Sequence, residues 1–171
     1  MLSYEGIFFE GETVDLIHSL EKEQLPVIND EIHCTFKYHP SENEIFDELV
    51  GKEIEVLLIG YGFDGKNSGF VLQLPSEIIP YYINYDEDNP GILKVPHITA
   101  SLAEGSKASE TKQLPFVTLK NPIPVKGKFG YWIKEDNYEY VSYAPYNKKN
   151  THKKWLYRLM LFNRKIFFKE Y

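Results

Sequence analysis

Two strand-like segments lie on either side of a short polar turn near the middle of the chain. The first, KEIEVLLIGYG, covers residues 52–62, and the second, SGFVLQLP, covers residues 68–75. The residues between them, FDGKN, contain the Asp-Gly pair and the asparagine that are typical of tight turns. A hairpin makes its two strands run antiparallel, so we predict an antiparallel sheet rather than a parallel dinucleotide-binding sheet.

The remaining segments predict a strand-rich α+β domain. Residues 6–10 indicate a short strand, and residues 12–23 indicate an amphipathic helix in which Val14, Ile17 and Leu20 recur at helical spacing. Further strands are predicted over residues 31–38, 95–102, 124–133 and 138–144, the last two as a hairpin. Residues 76–85 are ambiguous between helix and strand, and residues 103–114 indicate a polar loop or short helix.

The glycines of the central hairpin do not indicate a nucleotide-binding loop of a familiar kind. The stretch GYGFDG, residues 60–65, shares its glycine richness with dinucleotide- and phosphate-binding loops. It lies in a hairpin rather than between a strand and a helix, and this position argues against both motifs.

The charge is distributed unevenly along the chain, which has a net charge of −6. Residues 148–171 hold eight of the 19 basic residues and one of the 25 acidic residues, so this segment carries about +7 and the rest about −13. We therefore predict a domain over residues 1–147 and a basic helical extension over residues 148–171. The acidic domain argues against tight, nonspecific duplex binding. The extension is expected either to pack on the acidic domain or to contact RNA or an anionic surface.

The expected compartment follows from features that the sequence lacks. Cys34 is the one cysteine, so no internal disulfide framework is expected. The N-terminal residues show no basic region followed by a long apolar run, and no apolar stretch approaches the roughly 18–20 residues that span a bilayer. We expect a cytoplasmic protein without stable membrane association.

Two His-x-Thr units occur within strand-like runs, 64 residues apart. The first is His33 and Thr35 in EIHCTFKY, and the second is His97 and Thr99 in VPHITASL. Because alternate residues of a strand face the same side, each imidazole shares a face with a hydroxyl. Lys37 shares the first face and Ser101 the second, while the intervening residues point into the core. Either histidine alone is more simply read as an ordinary sheet residue.

Together, the two units suit phosphodiester cleavage without a metal or another cofactor. A neutral histidine can remove a proton from the attacking oxygen, and a protonated one can give a proton to the leaving oxygen, because the unperturbed pKa of histidine is about 6.5. The threonine hydroxyls can donate hydrogen bonds to phosphate oxygens, with Lys37 and Ser101 as additional candidates. A zinc site and a nucleophilic Cys34 are weaker alternatives, since metal-ligand spacings are lacking and Cys34 is predicted to point away from His33.

These units make the chain resemble the two-histidine (2H) phosphoesterase superfamily, which includes LigT-like RNA ligases and cyclic phosphodiesterases. The matching motifs are HCTF at residues 33–36 and HITA at residues 97–100, and the strand-helix-strand order of residues 6–38 is similar to the first lobe of that family. GYGFDGKN and HITASLAEG are also similar to the branch associated with RNA repair. The residues that follow each threonine depart from the apolar pair that is commoner in the family.

The resemblance implies a bilobal, duplicated α+β fold with antiparallel sheets lining a central groove and helices outside. It implies a phosphodiesterase with His33 and His97 as the acid-base pair, acting on a cyclic phosphate or phosphodiester bond of RNA ends or small oligonucleotides. A nucleotide, a cyclic nucleotide or an RNA end is the expected partner. Two alternatives remain: a module that binds nucleotides or RNA ends in the same groove without cleaving them, and an interaction protein with no nucleotide ligand.

Overall fold

A computed structural model describes residues 1–146 of the chain. These residues form one α-helix and eight strands, in the order β1, α1, then β2 to β8. Their bounds are Leu2–Phe8 (β1), Glu12–Ser19 (α1), Val27–Ile28 (β2), His33–Tyr38 (β3), Glu53–Phe63 (β4), Asn67–Gln73 (β5), His97–Leu102 (β6), Val117–Glu135 (β7) and Tyr138–Ser142 (β8). Short 3₁₀ helices cover Glu42–Glu44, Ile79–Tyr81 and Ala108–Gln113.

All eight strands belong to one antiparallel sheet. The main path runs β2-β6-β5-β4-β7-β1-β3, and β8 pairs with β7. The long strand β7 holds the sheet together because it pairs with β4 along its first part and with β1 and β8 along its last part. The sheet-rich α+β class is thus confirmed, as are the hairpins β4–β5 and β7–β8.

Two segments cross between the chain halves and bring β3 close to β6. Strand β2, which precedes β3 in the chain, pairs with the edge of β6 instead. The stretch after the second 3₁₀ helix, which precedes β6, lies along β3, where the Ile83 amide donates to the Phe36 carbonyl oxygen at 3.3 Å. Residues of β3 and β6 also contact each other directly. Strand β3, at one end of the sheet path, therefore approaches β6, which lies next to the other end.

The core is built from the inward faces of these strands. Cys34 and Phe36 on β3 and Ile98 and Ala100 on β6 are all fully buried, as their alternation with the histidines and threonines predicts. Ile17 is the buried residue of α1 and packs in the same cluster. Burial of these inward side chains fixes the outward direction of the residues between them.

Several predicted boundaries differ from the structure. Strand β1 begins at Leu2 rather than Gly6, and α1 ends at Ser19, short of the predicted Glu23. Residues 76–85, ambiguous in the sequence, hold a single 3₁₀ turn at Ile79–Tyr81. The predicted extension over residues 148–171 lies outside the described residues.

Candidate active site

A cavity of about 530 Å³ lies where β3 and β6 approach each other. Both His-x-Thr units line it, so His33, Thr35, His97 and Thr99 share one space. Other polar or aromatic residues lining the cavity are Asn29, Tyr38, His39, Asn84, Glu87, Lys94, Ser109 and Lys112. The structure thus brings together the four residues on which the sequence argument depends.

The two imidazoles are oriented in the same way. His33 Nδ1 lies 2.8 Å from the carbonyl oxygen of Glu31, and His97 Nδ1 lies 2.7 Å from the carbonyl oxygen of Val95. A carbonyl oxygen can only accept, so each Nδ1 must carry the proton and donate it. In the neutral ring, Nε2 is then the unprotonated nitrogen and can act as a base. In the charged ring, Nε2–H can act as an acid.

Burial lowers the pKa of both histidines. For His33, desolvation is the largest cause, the hydrogen bond to Glu31 opposes it, and the nearby charge of His97 lowers the pKa further. For His97, desolvation is again the largest cause, the bond to Val95 opposes it, and the positive charges of Lys94 and Lys112 add to the lowering. The charge of His97 thus reaches the His33 ring, and His97 lies on the lysine side of the cavity.

The threonine of the second unit belongs to a buried hydroxyl network. Thr99 Oγ1 donates to Thr111 Oγ1 at 2.8 Å, and Thr111 Oγ1 also accepts a hydrogen bond from Asn67 Nδ2 at 2.9 Å. Both Asn67 and Thr111 are fully buried. Because a hydroxyl can both donate and accept, rotation lets Thr111 donate to Thr99 and leaves the Thr99 proton for an anion in the cavity.

Two asparagines support the units from across the chain halves. Asn29, just before β3, donates from Nδ2 to the carbonyl oxygen of Thr99 at 2.7 Å. Asn84, in the segment before β6, donates from Nδ2 to the carbonyl oxygen of Thr35 at 3.0 Å. Each half of the chain thus supplies one His-x-Thr strand and one amide that holds the other strand. The equivalence of these contacts is not visible from the spacing in the sequence.

Aromatic side chains pack around His33. Its ring stacks on Tyr4 with centroids 4.8 Å apart, and Phe8 lies 5.7 Å away. Tyr4 in turn stacks on Trp132 at 5.7 Å. Tyr38, which contacts Tyr4 and remains 46% exposed, lines the cavity. The cluster fixes the plane of the His33 ring and leaves one aromatic surface open to a ligand.

Lys37 and Ser101, the additional phosphate donors expected from strand alternation, have other partners. Lys37 Nζ pairs with Glu44 at 3.1 Å. Ser101 is fully buried, donates to Glu21 and accepts from the Leu25 amide at 3.0 Å. Neither is among the residues that line the cavity. Each lies farther along its strand than the threonine of its unit, beyond the cavity, and contacts a charged or polar neighbour there.

His39, which follows β3, also lines the cavity. Its backbone has a φ of 45°, in the left-handed region that few non-glycine residues occupy, and this turn carries its side chain back towards the other histidines.

Burial raises the pKa of Cys34 to about 12, so its thiol is protonated near neutral pH, as befits a core residue rather than a nucleophile.

No protein-family model matches the chain, and no similar curated protein was found.

Among residues 1–146, no group of three or more His, Cys, Asp or Glu side chains is placed to hold a metal ion. No helix in the described part of the chain is long and apolar enough to cross a membrane.

Proposed function

We propose that the protein is a phosphodiesterase of the two-histidine type, which hydrolyses a cyclic phosphate or phosphodiester bond of RNA ends or small oligonucleotides. The observation that carries the proposal is the pair of equivalent imidazoles in one cavity, each with Nδ1 bound to a backbone carbonyl and Nε2 left for chemistry. The reciprocal contacts of Asn29 and Asn84 support the bilobal, duplicated organisation that the family resemblance implies.

The reaction needs one neutral and one protonated histidine. With a 2′,3′-cyclic phosphate, Nε2 of the neutral ring removes a proton from water while the water oxygen forms a bond to phosphorus. The bond from phosphorus to one ribose oxygen breaks, and Nε2–H of the other ring gives its proton to that oxygen. The ring that took a proton then releases it to solvent, and the ring that gave one takes a proton from solvent, so both return to their starting states. Neither transfer requires a metal.

In this proposal the threonines stabilise the negative charge that develops on the nonbridging phosphate oxygens. Thr35 and Thr99 lie two residues after the histidines on the same strand faces, so their hydroxyls border the same cavity. Hydrogen-bond donors that face the nonbridging oxygens act most strongly in a partly desolvated site, where the dielectric constant is low. Which histidine serves as acid depends on which ribose oxygen leaves, so the two roles exchange with substrate orientation.

The direct test is turnover in EDTA of 2′,3′-cyclic nucleotides, 2′–5′-linked dinucleotides and cyclic oligonucleotides. We expect His33→Ala and His97→Ala each to lower kcat on the preferred substrate by about 10²- to 10⁴-fold, the range for loss of a general acid or base. His39→Ala is the matched control, because it removes a histidine from the same cavity without touching either unit.

Full activity in both His33→Ala and His97→Ala would contradict the proposal. Tight binding with intact ligand after long incubation would instead support the non-catalytic binding module. Failure to bind any nucleotide in a broad thermal-shift screen would favour the interaction protein.

A further inference from the structure

Two lysines from separate elements enter the cavity on the His97 side. Lys94 lies in the loop before β6, and Lys112 lies in the 3₁₀ helix Ala108–Gln113. Their side chains are only 7% and 14% exposed, which is low for lysine, and the charges of both reach His97. The cavity therefore holds a pair of cations beside the proposed catalytic pair and distinct from the two threonines.

Carboxylates of one short acidic run cover these cations. Lys112 Nζ lies 3.1 Å from Asp86, 3.3 Å from Glu87 and 3.7 Å from Asp88, and Lys94 Nζ pairs with Glu87. Several oxygens about 3 Å from an ammonium group reproduce the contacts that a phosphate would make.

The carboxylates and the lysines of these ion pairs differ in their exposure to solvent. Glu87 and Asp88 are 65% and 80% exposed, whereas Asp86, at 20%, and both lysine side chains are largely buried. An ion pair with an exposed carboxylate contributes little, so a ligand phosphate can replace the oxygens of Glu87 and Asp88 at small cost, and Asp86 is the firmer partner of Lys112. The lysines stay in the cavity, and the anion that neutralises them can be exchanged.

We propose that Lys94 and Lys112 form a second phosphate-binding subsite, which the acidic run Asp86–Asp88 fills when no ligand is bound. The inference rests on the proposed function and deepens it, because it specifies the substrate class. The preferred substrate is a nucleotide or oligonucleotide with a further phosphate beyond the one that is cleaved. A nucleoside cyclic phosphate with no second phosphate leaves this subsite to the acidic run.

The test uses two stable ligands that need no turnover, adenosine 2′-monophosphate and adenosine 2′,5′-bisphosphate, titrated calorimetrically into the full chain. We expect the bisphosphate to bind about 10- to 100-fold more tightly, as one added charge-assisted contact predicts. Lys94→Ala and Lys112→Ala should each remove most of this advantage and leave monophosphate affinity within about threefold. Lys66→Ala, an exposed lysine in the β4–β5 turn, is the matched control and should change neither affinity.

A second variant separates phosphate binding from a purely structural role of the lysines. If Asp86 and Glu87 compete with the ligand, the double variant Asp86→Asn/Glu87→Gln should bind the bisphosphate more tightly than the unmodified protein. If the lysines serve only to hold the acidic run, that variant will bind it equally or more weakly, and the inference is overturned.

Equal affinity for the two ligands, absence of binding by either, or an advantage that survives both lysine substitutions would also overturn the inference. The phosphodiesterase proposal stands or falls separately, because its test is turnover in EDTA by the unmodified protein.

Discussion

Glu5 is a fully buried carboxylic acid in β1, and its replacement by glutamine should change how stability depends on pH. Its Oε2 accepts a hydrogen bond from the Phe46 amide at 3.4 Å, while Oε1 has no partner. Desolvation is the largest cause that raises the pKa of Glu5 from 4.5 to about 8, and neighbouring carboxylates add to it. Glutamine keeps the acceptor for Phe46 and removes the charge.

The magnitude follows from linkage between protonation and folding. Between pH 4.5 and about 8 the folded protein holds the Glu5 proton and the unfolded chain does not, so the free energy of unfolding falls as pH rises through this window. At about 1.36 kcal/mol per pH unit, the full effect is about 5 kcal/mol. Glutamine carries no charge that must be buried. The free energy of unfolding of Glu5→Gln should therefore exceed that of the unmodified protein by little at pH 4.5 and by about 5 kcal/mol above pH 8.

Urea unfolding of both proteins at pH 4.5, 6.5 and 8.5 measures the effect. Glu55→Gln provides a matched control, since it removes one exposed carboxylate from strand β4 of the same sheet and should show no comparable rise in the free energy of unfolding with pH relative to the unmodified protein. A stability difference between Glu5→Gln and the unmodified protein that stays constant from pH 4.5 to 8.5 would refute the linkage argument.

Three further predictions concern the site and the sheet. Because the pKa values of His33 and His97 are both lowered, the state with one ring charged is most populated below pH 6.5, and kcat/KM should peak there; a maximum near pH 8 would contradict this. Thr111→Val should weaken phosphate binding about tenfold in calorimetry and cost about 1–3 kcal/mol of stability in urea, because the buried Asn67 amide loses one of its two acceptors, whereas Thr111→Ser should retain both properties. Gly6→Ala should lower the unfolding free energy measured in urea by about 3 kcal/mol, since its Cβ would overlap a backbone carbonyl of β3, while Gly91→Ala, with open space around it, should not.

Strand alternation was sufficient to predict which residues of β3 and β6 are buried in the core. Ile98 and Ala100 are buried behind His97 and Thr99 because a period of two leaves no other choice once one face is in the core. The β4–β5 hairpin could also be predicted from the sequence, since the Asp-Gly turn is a local signal. Both predictions rest on interactions between residues that are near each other in the chain.

The parts that escaped prediction depend on residues distant in sequence. The approach of β3 to β6 joins strands 64 residues apart, and no local pattern marks the crossover of β2 to the edge of β6. Lys94 and Lys112 had no distinguishing spacing in the sequence. Lys37 and Ser101 were assigned by strand face alone, and the carboxylates of Glu44 and Glu21 that engage them could be located only in three dimensions.

The crossed support of the two halves makes the site an all-or-none assembly. Asn29 belongs to the first half but holds the backbone of Thr99, and Asn84 belongs to the second half but holds that of Thr35. A cut in the turn between β4 and β5 would leave each piece with one of the two His-x-Thr units. Each piece would also carry an asparagine whose hydrogen-bond acceptor lies in the other piece. Neither piece would keep half of the function, so the chain divided there would behave as a two-component reporter whose signal depends on reassociation.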